Sequence, residues 1–297
     1  MKIRLGYGLG TAGLAADGCF GIVVDALEKH GFDSLWLAER ALGPLPDPLV
    51  ALGFAAGRTT RLKLGTGVLV LPGRNPVLLA KALASLDQLS GGRLLLAMGL
   101  GIAEPAEQQA FGVSREARGG WFDEALPLLR RLWTEDEVDH AGPRFTLRGV
   151  RLQPKPVQQP LEVWLGGRAA SELRRVGRLG EGWLASFCTP DEAADGRQAV
   201  EQAAARAERP IDPEHFGVIV RYARGAVPPG LARTIAARRP GIDPTELVPV
   251  GLPAACEHLE RFIQVGVSKF VLVPAEEPAD WTSELAELGE AVLPLQT

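Results

Sequence analysis

Short β-type runs alternate with amphipathic helical runs along the whole chain, and this rhythm limits its fold more than any other feature. Strands are expected over residues 3–9, 34–38, 62–71, 93–98, 161–165, 182–186, 216–222 and 269–273. Helical patterns fill the gaps at 20–30, 48–56, 76–89, 115–133, 169–179, 190–207, 254–265 and 283–292. Gly31 and Gly57 stand where a helix takes a C′ glycine, Asn75 and Pro76 form an N-cap and N1 pair, and Gly91 and Gly92 close the helix that follows. Eight strands with interleaved helices in 297 residues predict one (β/α)8 TIM barrel, spanning 1–297, over an open doubly wound sheet.

Two segments break the rhythm. Residues 136–160, rich in Pro, Gly and charge, read as an excursion before strand 5 with a small hairpin at 144–150. Residues 226–249, with VPPG and ARRPGIDP, form a lid-like loop after strand 7, because long connections in a compact barrel are usually functional.

A formal net charge of −4 with Lys and Arg spread throughout offers no basic stripe for nucleic acid and no polybasic membrane anchor. Cys19, Cys188 and Cys256 lack CxxC spacing, so no zinc or other metal site and no disulfide framework is expected. The opening MKIRLGYGLGTAG is too glycine-rich for a signal peptide, and a cytoplasmic location is the expectation.

Barrel active sites lie at the C-terminal ends of strands, which filters the candidates. His30, His140, His215 and His258 all fall elsewhere, so a histidine-based mechanism is not expected. Strand exits offer Glu39 and Arg40, Gly99 to Gly101, and Gly166, Gly167 and Arg168. Paired glycines between strand and helix serve either a phosphate cradle at the helix N-terminus or a tight βα turn, and spacing leaves both open. Glu39 suits general acid-base work or an ion pair with arginine, as do Glu104 and Glu107. Asp123 and Glu124 suit a solvated helix face or a structural pair with Arg118. GLGIAE lacks the later glycine and the acidic residue of a dinucleotide fingerprint.

The stretch LKLGTGVLVLPGRNP places Gly65 and Gly67 inside an otherwise apolar strand, where glycine weakens pairing without a reason. Together with KHGFDSLWLAER, DPLVALGFAAGRTTR, LSGGRLLLAMGLG, FGVSREARGGWFDEALPLLRRLW, QPKPVQQPLEVWLGGRAASELRRVGRLGEGW and VGLPAACEHLERFIQVGVSKFVL, it resembles the luciferase-like monooxygenase superfamily. Within it, the likeness is greatest to the deazaflavin (coenzyme F420)-dependent oxidoreductases.

That resemblance implies a barrel holding F420, or alternatively FMN, at its mouth, the ring leaning on a bulge after the third strand. It implies a non-prolyl cis peptide at Gly67–Val68 and phosphate contacts from Gly166, Gly167, Arg168, Ala169, Ala170 and Ser171. Val70, Leu100 and Gly101 map onto further cofactor contacts. The family's acid-base position after the second strand falls on Glu39, where relatives often carry histidine, and Ile102 replaces the glutamate of relatives that oxidise sugar phosphates. Implied too are a small organic substrate, a flavin or F420 reductase partner and a homodimer formed through helices at 48–56 and 77–89. Three readings follow: F420-dependent hydride transfer, an O2-using FMN monooxygenase, and a flavin-binding protein without turnover.

Overall fold

The computed structural model describes residues 1–10 and 19–297. Eight parallel strands close a barrel: β1 (Arg4–Gly8), β2 (Ser34–Leu37), β3 (Lys63–Val70), β4 (Leu94–Gly99), β7 (Val163–Gly166), β8 (Gly182–Ser186), β9 (Phe216–Tyr222) and β10 (Lys269–Pro274). The antiparallel pair β5 (Val138–Ala141) and β6 (Thr146–Val150) forms the hairpin of the excursion, so the expected hairpin segment at 144–150 supplies only its second strand. Around the circle the order is β1, β10, β9, β8, β7, β4, β3, β2, which sets β3 and β9 on opposite sides of the mouth.

The outer layer comprises α1 (Cys19–His30), α2 (Pro48–Arg58), α3 (Pro76–Ser90), α4 (Pro105–Phe111), α5 (Arg118–Thr134), α6 (Ala170–Leu179), α7 (Pro190–Arg206), α8 (Pro229–Arg238), α9 (Pro244–Leu247), α10 (Leu252–Gln264) and α11 (Trp281–Val292). Strand alternation explains the layering. On β9, Val218, Val220 and Tyr222 are buried under the helices, whereas Ile219 and Arg221 face the barrel mouth. Trp36, Trp164, Leu184 and Val271 fill the barrel beneath that mouth. At the opposite end Asp33 lies between Lys63 and Lys269, at 3.1 and 3.5 Å.

Three local expectations need correction. Helix α2 runs through Gly57 to Arg58, because Thr59 donates to the Ala55 carbonyl and Arg93 to that of Ala56, satisfying the last turn without a glycine reversal. The helix expected from 115 begins at Arg118, and α4 precedes it, started by Pro105 and ended by left-handed Gly112 at φ 66°. Residues 226–249 contain α8 and α9, which pack on a small core of Ala223, Ile235, Leu247 and Val248.

Candidate active site

A cavity of about 660 Å³ opens at the C-terminal ends of the strands, roofed on one side by α8 and α9 through Leu231, Thr234 and Leu247. Its floor is apolar, from Trp36, Leu184, Ile219 and Val271. One wall is β3. There the register against β4 skips from Gly67 to Leu69, leaving Val68 as the extra residue of a bulge, and the Gly67–Val68 peptide is cis.

The glycines of the neighbouring strands make this bulge fit. A Cβ on Gly99 would stand 2.6 Å from Val68 Cγ2, one on Gly166 would stand 2.9 Å from Val68 Cγ1, and one on Gly101 would stand 3.0 Å from Val70 Cγ1. No real Cβ tolerates the closest of these approaches, so Val68 and Val70 extend over β4 and β7 only because those positions are bare. The Trp36 indole likewise occupies the space a Cβ on Gly65 would need. Both strand glycines that looked out of place therefore serve the shelf: Gly65 admits the indole and Gly67 carries the cis bond into Val68.

Glu39 braces the shelf from below. Its N–H donates to the Val68 carbonyl at 3.1 Å and its carboxylate accepts from the Val70 N–H at 2.7 Å. The same carboxylate is ion-paired with Arg74, whose Nε donates to the Val70 carbonyl at 2.9 Å. Burial pushes the Glu39 carboxyl above its ordinary value, although Arg74 and the Val70 N–H pull the other way.

The second-strand exit is tied down differently. Arg40 reaches Glu104 at 2.7 Å and Glu107 at 3.2 Å, and Glu107 accepts from the N–H groups of Ala41 and Leu42. Burial opposes ionisation of Glu107, yet those N–H groups and Arg40 hold its carboxyl below the usual value. Glu104 and Glu107 are thus ion-pair partners. The suggested pairing of Arg118 with Asp123 or Glu124 does not form. Arg118 instead donates to the carbonyls of Gly101 and Ile102 at 2.8 and 2.9 Å, bracing the fourth-strand exit. Asp123 binds Arg175 and Arg178, and Glu124 binds His140.

At the β7 exit, Gly166, Gly167, Arg168 and Ala169 lead into α6, which holds Ala170 and Ser171 in its first turn. Glu172 folds back and accepts from the N–H groups of Arg168 and Ala169 at 2.8 and 2.9 Å, the half of a capping box that an alanine N-cap allows. A carboxylate therefore sits where a phosphate cradle was expected, and the first-turn N–H groups of Ala170 and Ser171 remain without an acceptor inside the helix.

Sequence reading missed Glu172 and Arg221, which line this mouth, and Arg74, which holds Glu39 and Val70 behind it. Arg221 carried a usable signal, being the one charged residue at an inward position of FGVIVRY. None of the four histidines lines the cavity. Among the described residues, no His, Cys, Asp and Glu cluster suits a metal ion, and no helix is long and apolar enough to cross a membrane.

An apolar shelf over bare glycines, facing an open cavity, fits a flat ring, and the α6 N-terminus fits an anion attached to it. The chain is similar to the F420-dependent glucose-6-phosphate dehydrogenase of Kineococcus radiotolerans, 31% identical over 202 residues, which cover 65% of this chain and 58% of the relative. It is also similar to 4-hydroxyprotoasukamycin monooxygenase of Streptomyces nodosus subsp. asukaensis, 33% identical over 195 residues, 60% of this chain and 51% of that one. These matches span little more than half the length of the curated relatives. An F420-dependent secondary alcohol dehydrogenase, solved with an F420-acetone adduct, shares the fold over 100% of both chains with a TM-score of 0.83 at 19% identity. The family model for luciferase-like monooxygenases matches residues 21–226, from the first helix to just beyond the seventh barrel strand and so across the whole shelf. On that match, joined to the closed barrel and its bulged third strand, the chain belongs to the luciferase-like monooxygenase family.

Proposed function

We propose that this protein is an F420-dependent oxidoreductase that moves a hydride between the deazaflavin and a small organic substrate. The observation that carries this reading is the shelf of Val68 and Val70 over Gly99, Gly101 and Gly166, open to the cavity on its other face. The F420-dependent relatives support the choice of cofactor. F420 when bound supplies the hydride chemistry, and the chain supplies binding, orientation and proton handling.

In this reading Gly67, Val68, Val70, Leu100 and Gly101 seat the ring. Gly166, Gly167, Arg168, Ala169, Ala170 and Ser171 receive its phosphate at the α6 N-terminus, with Glu172 yielding the two N–H groups it holds. Glu39 is the carboxylate that takes or returns the proton accompanying the hydride. Its burial and its raised pKa support that role. The α8 and α9 segment excludes water above the substrate. A homodimer is part of the same reading, supported by the exposed apolar side chains of Val50 and Phe54 on α2 and Leu78 on α3.

The monooxygenase relative favours a second reading, in which reduced FMN from a partner reductase takes the place of F420 and O2 is used. Titrating the purified protein with F420 and with FMN, following ring fluorescence, separates the two. Tight F420 binding is expected; tight FMN binding with none to F420 would transfer the assignment to the monooxygenase. Glu39→Gln then tests turnover against mere binding: loss of activity with retained F420 affinity supports the proton role, and unaltered turnover removes Glu39 from it.

A further inference from the structure

The wall facing the shelf carries positive charge that nothing in the described structure neutralises. Arg221 projects from β9, diametrically opposite β3, into the cavity, and Arg238 of α8 lines the same cavity. The other charged residues around the mouth are occupied: Glu39 by Arg74, Arg40 by Glu104 and Glu107, and Glu172 by two backbone N–H groups. Among the described residues neither Arg221 nor Arg238 forms an ion pair or a side-chain hydrogen bond.

The Arg221 guanidinium is also held in place. Its Cζ stands 5.8 Å from the centroid of the Phe187 ring, a cation-π contact. Phe187 adopts φ +52°, and its carbonyl accepts from Arg239, which is itself buried and ion-paired with Glu192. Gly10 flanks its other side, where an added Cβ would lie 3.4 Å from an Arg221 terminal nitrogen, in ordinary contact. Burial, and then the like charge of Arg238, lower the Arg221 pKa, as expected of a cation without a counter-ion among the described residues. A partly buried guanidinium with no ion-pair partner among the described residues is costly unless an anion completes it.

We propose that Arg221, assisted by Arg238, binds an anionic group of the substrate, a carboxylate or similar oxyacid, and thereby orients the substrate between the β9 wall and the shelf. This rests on the hydride-transfer reading for the term substrate, and it narrows the small organic substrate of that reading to an anionic one. The planar fork of arginine suits two-point binding of a carboxylate, and the Phe187 ring lies beside that fork.

The test uses the ligand-free protein, so that it does not depend on cofactor identity. Benzoate and its neutral counterpart benzamide are titrated while tryptophan fluorescence is followed, Trp36 being part of the cavity floor. Benzoate is expected to bind about tenfold more tightly than benzamide, as for a charge-assisted contact in a partly dry site. Arg221→Gln is expected to abolish the preference and Arg221→Lys to keep part of it. Melting curves check folding, and Arg221→Gln, relieved of an uncompensated charge, is expected to melt no lower than the parent. Equal binding of the two probes by the parent protein overturns the proposal without any variant. So does an undiminished benzoate preference in Arg221→Gln. If Arg221→Gln loses F420 affinity while its preference for benzoate persists, the arginine belongs to the cofactor and the proposal fails. Absence of F420 binding in the parent would defeat the functional reading alone and leave the benzoate result to decide this one.

Discussion

Glu39 and Arg74 hold the backbone of Val70 between them: the carboxylate accepts its N–H at 2.7 Å, the guanidinium donates to its carbonyl at 2.9 Å, and the two side chains are ion-paired. The shelf is therefore fixed by a charged clamp as well as by glycine gaps. With its side chain only 5% exposed, Glu39 depends on that cation.

Removing the cation should show this dependence. Arg74→Met is expected to cost about 2–3 kcal/mol in urea unfolding, since a buried carboxylate is left unpaired, with Arg74→Lys costing less. Because the Glu39 pKa is raised by folding, the folded state holds that proton more tightly than the unfolded chain. The group's contribution is therefore favourable at low pH and is lost as pH rises from the ordinary carboxylate value through the raised one. Losing Arg74 raises the Glu39 pKa of the folded variant further, so the deficit of Arg74→Met should widen as pH climbs above the parent's raised value, and a pH-independent deficit would deny the clamp its electrostatic part.

The glycine gaps can be tested by filling one. Gly99→Ala places a Cβ 2.6 Å from Val68 Cγ2, so the shelf must move. F420 affinity measured by fluorescence is expected to fall about tenfold or more, as for other small displacements at a positioned site. Trimming the opposing side chain with Val68→Ala should recover part of the loss.

Glu172 offers a gain. Its carboxylate holds the Arg168 and Ala169 N–H groups, so it competes with any phosphate arriving there. Glu172→Gln removes a negative charge from that helix N-terminus and is expected to tighten binding of inorganic phosphate several-fold, at a stability cost of about 1 kcal/mol for the weakened cap. Calorimetric titration of parent and variant reads the difference directly.

Acid should find His258. Burial, reinforced by Arg261, lowers its pKa to about 4 from 6.5, and the ring packs against Phe262 with centroids 5.0 Å apart. The unfolded chain takes up the proton first, so stability falls as pH drops from 6.5 towards 4, with no further loss from this group below that. On the order of 3 kcal/mol is at stake over that span. In His258→Leu the acid limb of stability against pH should be flatter by that amount, as followed by thermal melts.

The barrel was legible because each strand and helix announces itself locally. Pro76 after Asn75 starts α3, left-handed Gly91 ends it, and the apolar runs need no partner to be recognised. The bulge was legible through resemblance, since two glycines in an apolar strand show a departure without showing its shape. Interactions across the mouth were not. Glu39 and Arg74 lie 35 residues apart, Arg40 and Glu107 lie 67 apart, and no periodicity connects them. Glu172 hides differently, because Glu at the third helical position reads as an ordinary cap until its carboxylate is seen on the Arg168 and Ala169 N–H groups at the mouth. The 226–249 segment stood out by its proline and glycine content as a break in the rhythm, while Pro229 and Pro244, the N1 residues of α8 and α9, were signals left unused.

A crystal structure of the protein with F420 bound tests the central claim most directly. The expected result is the deazaflavin ring seated against Val68, its phosphate at the N-terminus of α6 with the Glu172 carboxylate displaced, and its open face towards Arg221. A ring bound away from Val68, or a phosphate elsewhere with Glu172 still on the Arg168 and Ala169 N–H groups, would contradict it.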